Sequence, residues 1–408
     1  MNSSRKTLLI QVSLFIITFT TTTFAGSEWI NSSYFPWNYS WQDFIVGLQF
    51  SIPFLGVLTV HEFGHYFTAK YYRIKVTLPY YIPVWLGFLG APSLGTMGAF
   101  IRIKEAIKSR KEFFDVGVAG PIAGFVIAIG VVWYGFAHLP PQEYIYEIHP
   151  DYQIFGENYA DIVYEKDTTI FKKDINFLSE DVMAQLPDTI TYDQDLIVKF
   201  GLGKNLLFLL FEKYIVSKPE RIPSKYEMIH YPFLFAGYLA LFFTAINLLP
   251  IGQLDGGHVL YGLLGSKKAN MVSAIVFVLF IFYGGLGLIT PASKFGDNPN
   301  DLLTHLLYIA MYVFLLYFVF YSMHPNKQTR WLIALSVFAG QYLTTLILPD
   351  VKGYHGWLFF GFLIGRFLGV YHPKALQDEP LSFGRKVVGC LALIIFILCF
   401  APQALVVE

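Results

Sequence analysis

Cysteine is almost missing from this chain, and charge is scarce. Only Cys390 and Cys399 occur in 408 residues, both in the last apolar segment. Nine positions apart on a helix, they face opposite ways and stand roughly 13 Å apart along the axis. They can form neither a disulfide with each other nor a metal site, and read as small packing residues. Charged residues make up only 14% of the chain, and 29 Lys+Arg balance 29 Asp+Glu. A net charge of zero suggests no nucleic-acid partner.

What is abundant is apolar. The chain is 55% hydrophobic and 18% aromatic, with a mean hydropathy of +0.49, far from a soluble globular average. Apolar runs fall at about 7–25, 43–72, 113–137, 231–265, 270–290, 302–322, 331–348, 356–371 and 387–405. The expected fold class is therefore an all-α polytopic membrane protein with about nine apolar spans. The first run follows Arg5 and Lys6 and ends in Thr20 to Gly26. It reads either as a retained helix or as a cleaved signal peptide.

Lys and Arg are distributed unevenly. With a cytosolic N-terminus, the cytosolic segments carry Arg5, Lys6, Lys70, Arg73, Lys75, Arg102 and others through Lys386, whereas the short outer loops carry only Lys294 and Lys352. This positive-inside bias sets the orientation. The expected location is thus an integral multi-pass position in the cell (inner) membrane. Residues 138–230 are rich in Asp, Glu and Tyr and are placed outside. Within them, Asn205 to Val216 is apolar but too short to span, and is expected to lie on the membrane or cap the bundle. Gly201-Leu202-Gly203 does not begin a PDZ domain, because the apolar segment follows at once.

One run contains His61-Glu62-Phe63-Gly64-His65. HExxH on a helix sets two histidines one turn apart on one face, with a carboxylate beside them. That arrangement supplies two zinc ligands and a general base. Ionisable groups at membrane depth are costly and mark function. The bland alternative is a pair of helix histidines bonded to neighbouring helices. With His65 five residues before Lys70, the pair would lie roughly 8–12 Å beneath the cytosolic face.

Residues 76–104 are apolar but interrupted by Pro79, Pro83 and Pro92 and by four glycines. A continuous helix is ruled out. The alternation Ala99-Phe100-Ile101-Arg102-Ile103 suggests a strand. The segment reads as a small re-entrant loop or β-hairpin near the site, or as a connector lying on the membrane. Gly120-Pro121-Ile122-Ala123-Gly124 has small-xxx-small spacing, which allows close helix packing.

The run 231–265 is longer than one span needs, and Pro250, Gly252, Gly256 and Gly257 interrupt it. An unwound stretch there lines a polar cavity. It contains Asp255, which reads alone as a helix cap and, joined to HEFGH, as the third ligand of a His₂–carboxylate site. Asn247 bonds either substrate backbone or a neighbouring helix. His258 supports or caps rather than closing the open metal position.

The two motifs together, HEFGH at 61–65 and NLLPIGQLDGGH at 247–258, resemble the site-2 protease family of intramembrane zinc metalloproteases, peptidase family M50. Gly98-Ala99-Phe100, Asp115, Ala119-Gly120-Pro121, His230-Tyr231-Pro232 and Ala236-Gly237 are similar to its plastid-type, EGY-like branch. The resemblance covers about 43–265. It implies cleavage of transmembrane protein substrates within the lipid bilayer, with Zn²⁺ held by His61, His65 and Asp255, Glu62 as catalytic base, and Asn247 binding substrate. Phe242-Phe243-Thr244 is bulkier than the family's usual sequence there, and the sequence shows no recognisable PDZ domain. The alternative is a polytopic metal or proton transporter using the same His, Glu and Asp residues. The expected division is 1–42, an N-terminal span and outer loop; 43–137, protease core; 138–230, an acidic outer insert; 231–265, the rest of the core; and 266–408, a C-terminal bundle of four or five spans. Oligomeric state is left open.

Overall fold

A computed structural model describes residues 3–31, 39–165, 168–171, 189–192, 199–293 and 302–407. Parts of the expected outer segments (32–38, 166–167, 172–188, 193–198 and Lys294) lie outside the described residues. Three long helices open the chain: α1 (Ser3–Asn31), α2 (Trp41–Tyr71) and α3 (Arg110–Ala137). The starts of α2 and α3 are fixed by capping boxes, Ser40 with Asp43 and Ser109 with Glu112. In each, the serine oxygen accepts from a free backbone N–H and the carboxylate answers the cap's own N–H.

Among the described residues, six helices are long and apolar enough to cross a membrane. They are Arg5–Asn31, Trp41–Tyr71, Arg110–Ala137, Ser266–Gly285, Leu302–Val319 and Lys327–Ile347. The expected count of about nine is not confirmed: six of the nine runs give such helices. Run 231–265 breaks into helices Pro232–Asn247 and Asp255–Leu264, of 16 and 10 residues. Run 356–371 is a short helix, Gly356–Leu363, continued by a wide π turn. The last run yields a 17-residue helix, Phe383–Cys399. The helices of 8, 10 and 16 residues fall below the roughly 17–25 that span a bilayer, and the 17-residue one stands at that lower limit.

Between α2 and α3 lies an antiparallel hairpin, β1 (Tyr80–Val84) and β2 (Gly95–Phe100). The strand begins earlier than the sequence alternation suggests, and Val76 bridges Ile103 beyond it. Helix α1 carries this hairpin. Gln11 donates to Leu78 O at 2.6 Å, Thr21 to Gly95 O at 2.7 Å, and Trp29 to Ser93 O at 2.8 Å, while Glu28 accepts from Trp85 at 2.8 Å. The first run is therefore built into the fold around the site.

The main core joins α2, α3 and Pro232–Asn247 through Phe50, Phe54, Val132, Phe235 and Tyr238. A second core packs the C-terminal helices around Phe277, Leu316 and Trp357. In the insert, Leu206–Tyr214 is a short helix capped by Asn205, with Phe208 buried against Phe136. It packs against α3 through that contact. The Gly201 segment forms a strand, Phe200–Leu202, whose antiparallel partner is Leu405–Val407.

Candidate metal centre

The HEFGH histidines lie in the C-terminal half of α2, both buried. Four residues apart on a helix, their rings share one face. The third group arrives through a reversal of the chain. Helix Pro232–Asn247 stops, residues 248–254 turn, and Asp255 opens the next helix. Gly252 makes the turn possible. It has φ +56°, and a β-carbon there would lie 1.9 Å from Gly369 O. Any other residue would meet both backbone strain and a clash.

The structure brings His61, His65 and Asp255 together. Asp255 Oδ2 is 3.4 Å from His61 Nε2 and 3.3 Å from His65 Nε2, and the two Nε2 atoms are 3.0 Å apart. Four ligands placed tetrahedrally at zinc bond lengths of about 2.0–2.2 Å stand about 3.3–3.6 Å apart. The triangle is close to that size, so the donor set fits a zinc ion with one position left open.

His65 Nδ1–H donates to Val116 O at 2.7 Å. This bond fixes the tautomer and leaves Nε2 with a free lone pair aimed at the other two groups. Asn247 Nδ2 is 3.4 Å from His61 Nε2. Glu62 is buried and lines the same cavity, of about 680 Å³, with all three groups. Asn247, Gln253, Phe243, Phe360 and Phe367 form other walls, and Gly98 to Ile101 of the hairpin form one side. Among the described residues β2 pairs only with β1, which leaves its other edge unpaired. His258 also borders the cavity, but its Nδ1 lies 2.7 Å from His372 Nε2, so it is paired there and not with the triangle.

The role of the Gly120–Gly124 pair is more specific than sequence spacing indicated. A β-carbon on Gly120 would fall 2.2 Å from His65 Nε2, and one on Gly124 would fall 3.0 Å from His61 Cβ. Helix α3 presses directly on the rings. Gly120→Ala is expected to displace the His65 ring and weaken zinc binding about 10–100-fold, the usual cost of disturbing a ligand's support. Chelator competition on the purified protein measures this. Unchanged affinity would mean that α3 does not hold the ring.

The sequence reading named Asp115 and His230 only among the residues of the family resemblance and gave them no partners. Asp115 receives a bidentate contact from Arg385, with Nε–Oδ1 at 2.8 Å and Nη2–Oδ2 at 2.9 Å, and also accepts from Tyr72 OH. It ties the ends of α2 and α3 to the last helix. A partner 270 residues away leaves no local signal. His149, Glu227 and His230 form a second cluster of metal-type side chains, apart from the first.

A family model described as Peptidase family M50 matches residues 49–286. Similar proteins include "Probable zinc metalloprotease EGY2, chloroplastic" of Oryza sativa subsp. japonica, 22% identical over 271 residues, covering 62% of this chain and 39% of the relative. The Arabidopsis thaliana protein of the same description is 23% identical over 276 residues, covering 64% and 39%. "Probable zinc metalloprotease EGY1, chloroplastic" of Arabidopsis thaliana is 24% identical over 219 residues, covering 52% and 29%. The chain spans at most 39% of the length of these relatives. No solved structure matches it.

Proposed function

This chain belongs to peptidase family M50, and on that premise we propose that it is an intramembrane zinc metalloprotease, cutting transmembrane segments of other membrane proteins. The carrying observation is that His61, His65 and Asp255 meet in one cavity with Glu62, beside an unpaired strand edge. On this reading 43–137 and 231–265 form the protease core, 138–230 is an insert on the outer side, and 266–408 is an added bundle.

His61, His65 and Asp255 would hold the zinc. The bound ion supplies Lewis acidity toward the scissile carbonyl and makes a water acidic near neutral pH. Glu62 takes a proton from the attacking water and delivers it to the departing amine. The Val116 carbonyl keeps the His65 tautomer correct while this happens. Asn247 offers an amide to the substrate backbone. A helical substrate hides its carbonyls in its own hydrogen bonds and must unwind before cleavage. The open edge of β2 can hold the unwound piece by strand addition. Phe243, Phe360 and Phe367 supply apolar walls for its side chains.

Six apolar helices of spanning length support an integral multi-pass membrane protein. The named relatives are chloroplastic, so they lend no support to the expected cell inner membrane. The site would lie toward the Lys- and Arg-rich face.

The test is reconstitution in lipid vesicles with a single-span substrate. Internal cleavage products that vanish with a zinc chelator are expected. Two glycines in the substrate helix lower its unwinding cost by about 2 kcal/mol and are expected to raise the rate about tenfold or more. Bound zinc with ion flux across the vesicle and no cleavage would overturn the reading in favour of a transporter.

A further inference from the structure

His149, Glu227 and His230 lie in the 138–230 segment and form a group separate from His61, His65 and Asp255. Glu227 is fully buried, and His230 is 3% exposed. His230 Nε2 is 3.5 Å from Glu227 Oε2, His149 Nε2 is 3.9 Å from the same oxygen, and the two Nε2 atoms are 3.4 Å apart. We propose that these three side chains form a second metal site, taking zinc or another first-row divalent ion of similar softness.

The spacing carries the argument. Hydrogen bonds of this kind run about 2.7–3.2 Å, and all three separations exceed that. A tetrahedral ion with bonds of about 2.0–2.2 Å needs ligand separations of about 3.3–3.6 Å, and two of the three fall there, with the third slightly longer. Glu227 Oε2 is buried and has no hydrogen-bond partner. An unpaired carboxylate oxygen is costly in such a place, and a cation would satisfy it. Its other oxygen is already committed, because Tyr164 OH donates to Oε1.

His230 is prepared in the same way as His65. His230 Nδ1–H donates to Ile30 O at 3.0 Å, which leaves Nε2 bare and turned toward Glu227. His149 stacks on Tyr152. Its side chain is 24% exposed, which gives an ion a way in and leaves room for water as a fourth ligand. Two imidazoles and one carboxylate select zinc-like ions over calcium or magnesium, which prefer oxygen. A bound ion would join three pieces of chain: the end of α1 through Ile30, the insert through His149, and the turn that leads into Pro232–Asn247.

The experiment is metal content per chain, by elemental mass spectrometry, on full-length protein purified without chelator and reloaded with Zn²⁺. Glu227→Gln and His149→Ala are each expected to lose one equivalent relative to the parent. Asp255→Ala is expected to lose a different one, and Asp255→Ala with Glu227→Gln to hold none. His149→Ala, at a part-exposed side chain, decides the matter if Glu227→Gln does not fold. Full parental content in His149→Ala overturns the proposal, as does complete loss of metal in Asp255→Ala alone. Because the two sites are removed separately, failure at this one leaves the peptidase reading intact.

Discussion

Asp255→Ala is expected to strip one zinc equivalent from the protein and abolish peptide hydrolysis. The carboxylate is the only group of the triangle that is not on α2, and it contributes the negative charge that two neutral imidazoles lack. Zinc binding by small protein sites is worth about 10–16 kcal/mol, so one ligand of four carries about 2.5–4 kcal/mol. Affinity is expected to fall about 10²–10³-fold. The cost to folding is smaller. Asp255 opens helix Asp255–Leu264, where an acidic side chain at the N-terminus is worth about 0.3–1 kcal/mol. The variant is therefore expected to elute as a folded, monodisperse species. Elemental analysis and a cleavage assay on the same preparation check both halves. Full zinc content in this variant would mean that the two distant motifs do not share an ion.

Glu62→Gln is expected to give the opposite pattern, with metal retained and rate lost. Glutamine keeps the size and shape of the buried side chain, but it can neither take up nor deliver a proton. A positioned general base contributes about 10²–10⁴-fold, so cleavage is expected to drop by at least that factor. Glu62 is not one of the triangle groups, and zinc content is expected to match the parent. Single-turnover cleavage beside metal analysis separates this outcome from that of Asp255→Ala. Near-normal cleavage in Glu62→Gln would assign the proton transfers to another group.

Much of the site was legible because its residues are chemically unusual where they stand. His61, Glu62 and His65 are ionisable groups in an apolar helix, at a spacing that selects one face. Pro250 and Gly252 announced a break, and the break is where residues 248–254 turn. The hairpin was legible from its prolines and glycines, although β2 starts at Gly95 and not near Ala99. The count of nine spans was not confirmed, for a physical reason. Run 231–265 has the composition of a span, but the turn that delivers Asp255 divides it into helices of 16 and 10 residues. Contacts between remote residues left no trace in local pattern. Arg385 with Asp115, and His149 with Glu227, are joined only by the folded backbone. Gly120 was legible as a packing residue, but not as the one against which His65 rests.

The pairing of Phe200–Leu202 with Leu405–Val407 has a consequence in time. About 200 residues separate the partner strands. At roughly 5–20 residues per second, the ribosome needs on the order of 10–40 seconds to make the second after the first. The HEFGH helix and Asp255 are both translated well before that strand exists. Until residues 405–407 are made, Phe200–Leu202 has no such partner, and only translation through residue 407 allows the ladder to close. Nascent chains halted before residue 405 would carry every group of the metal triangle and lack this final fastening.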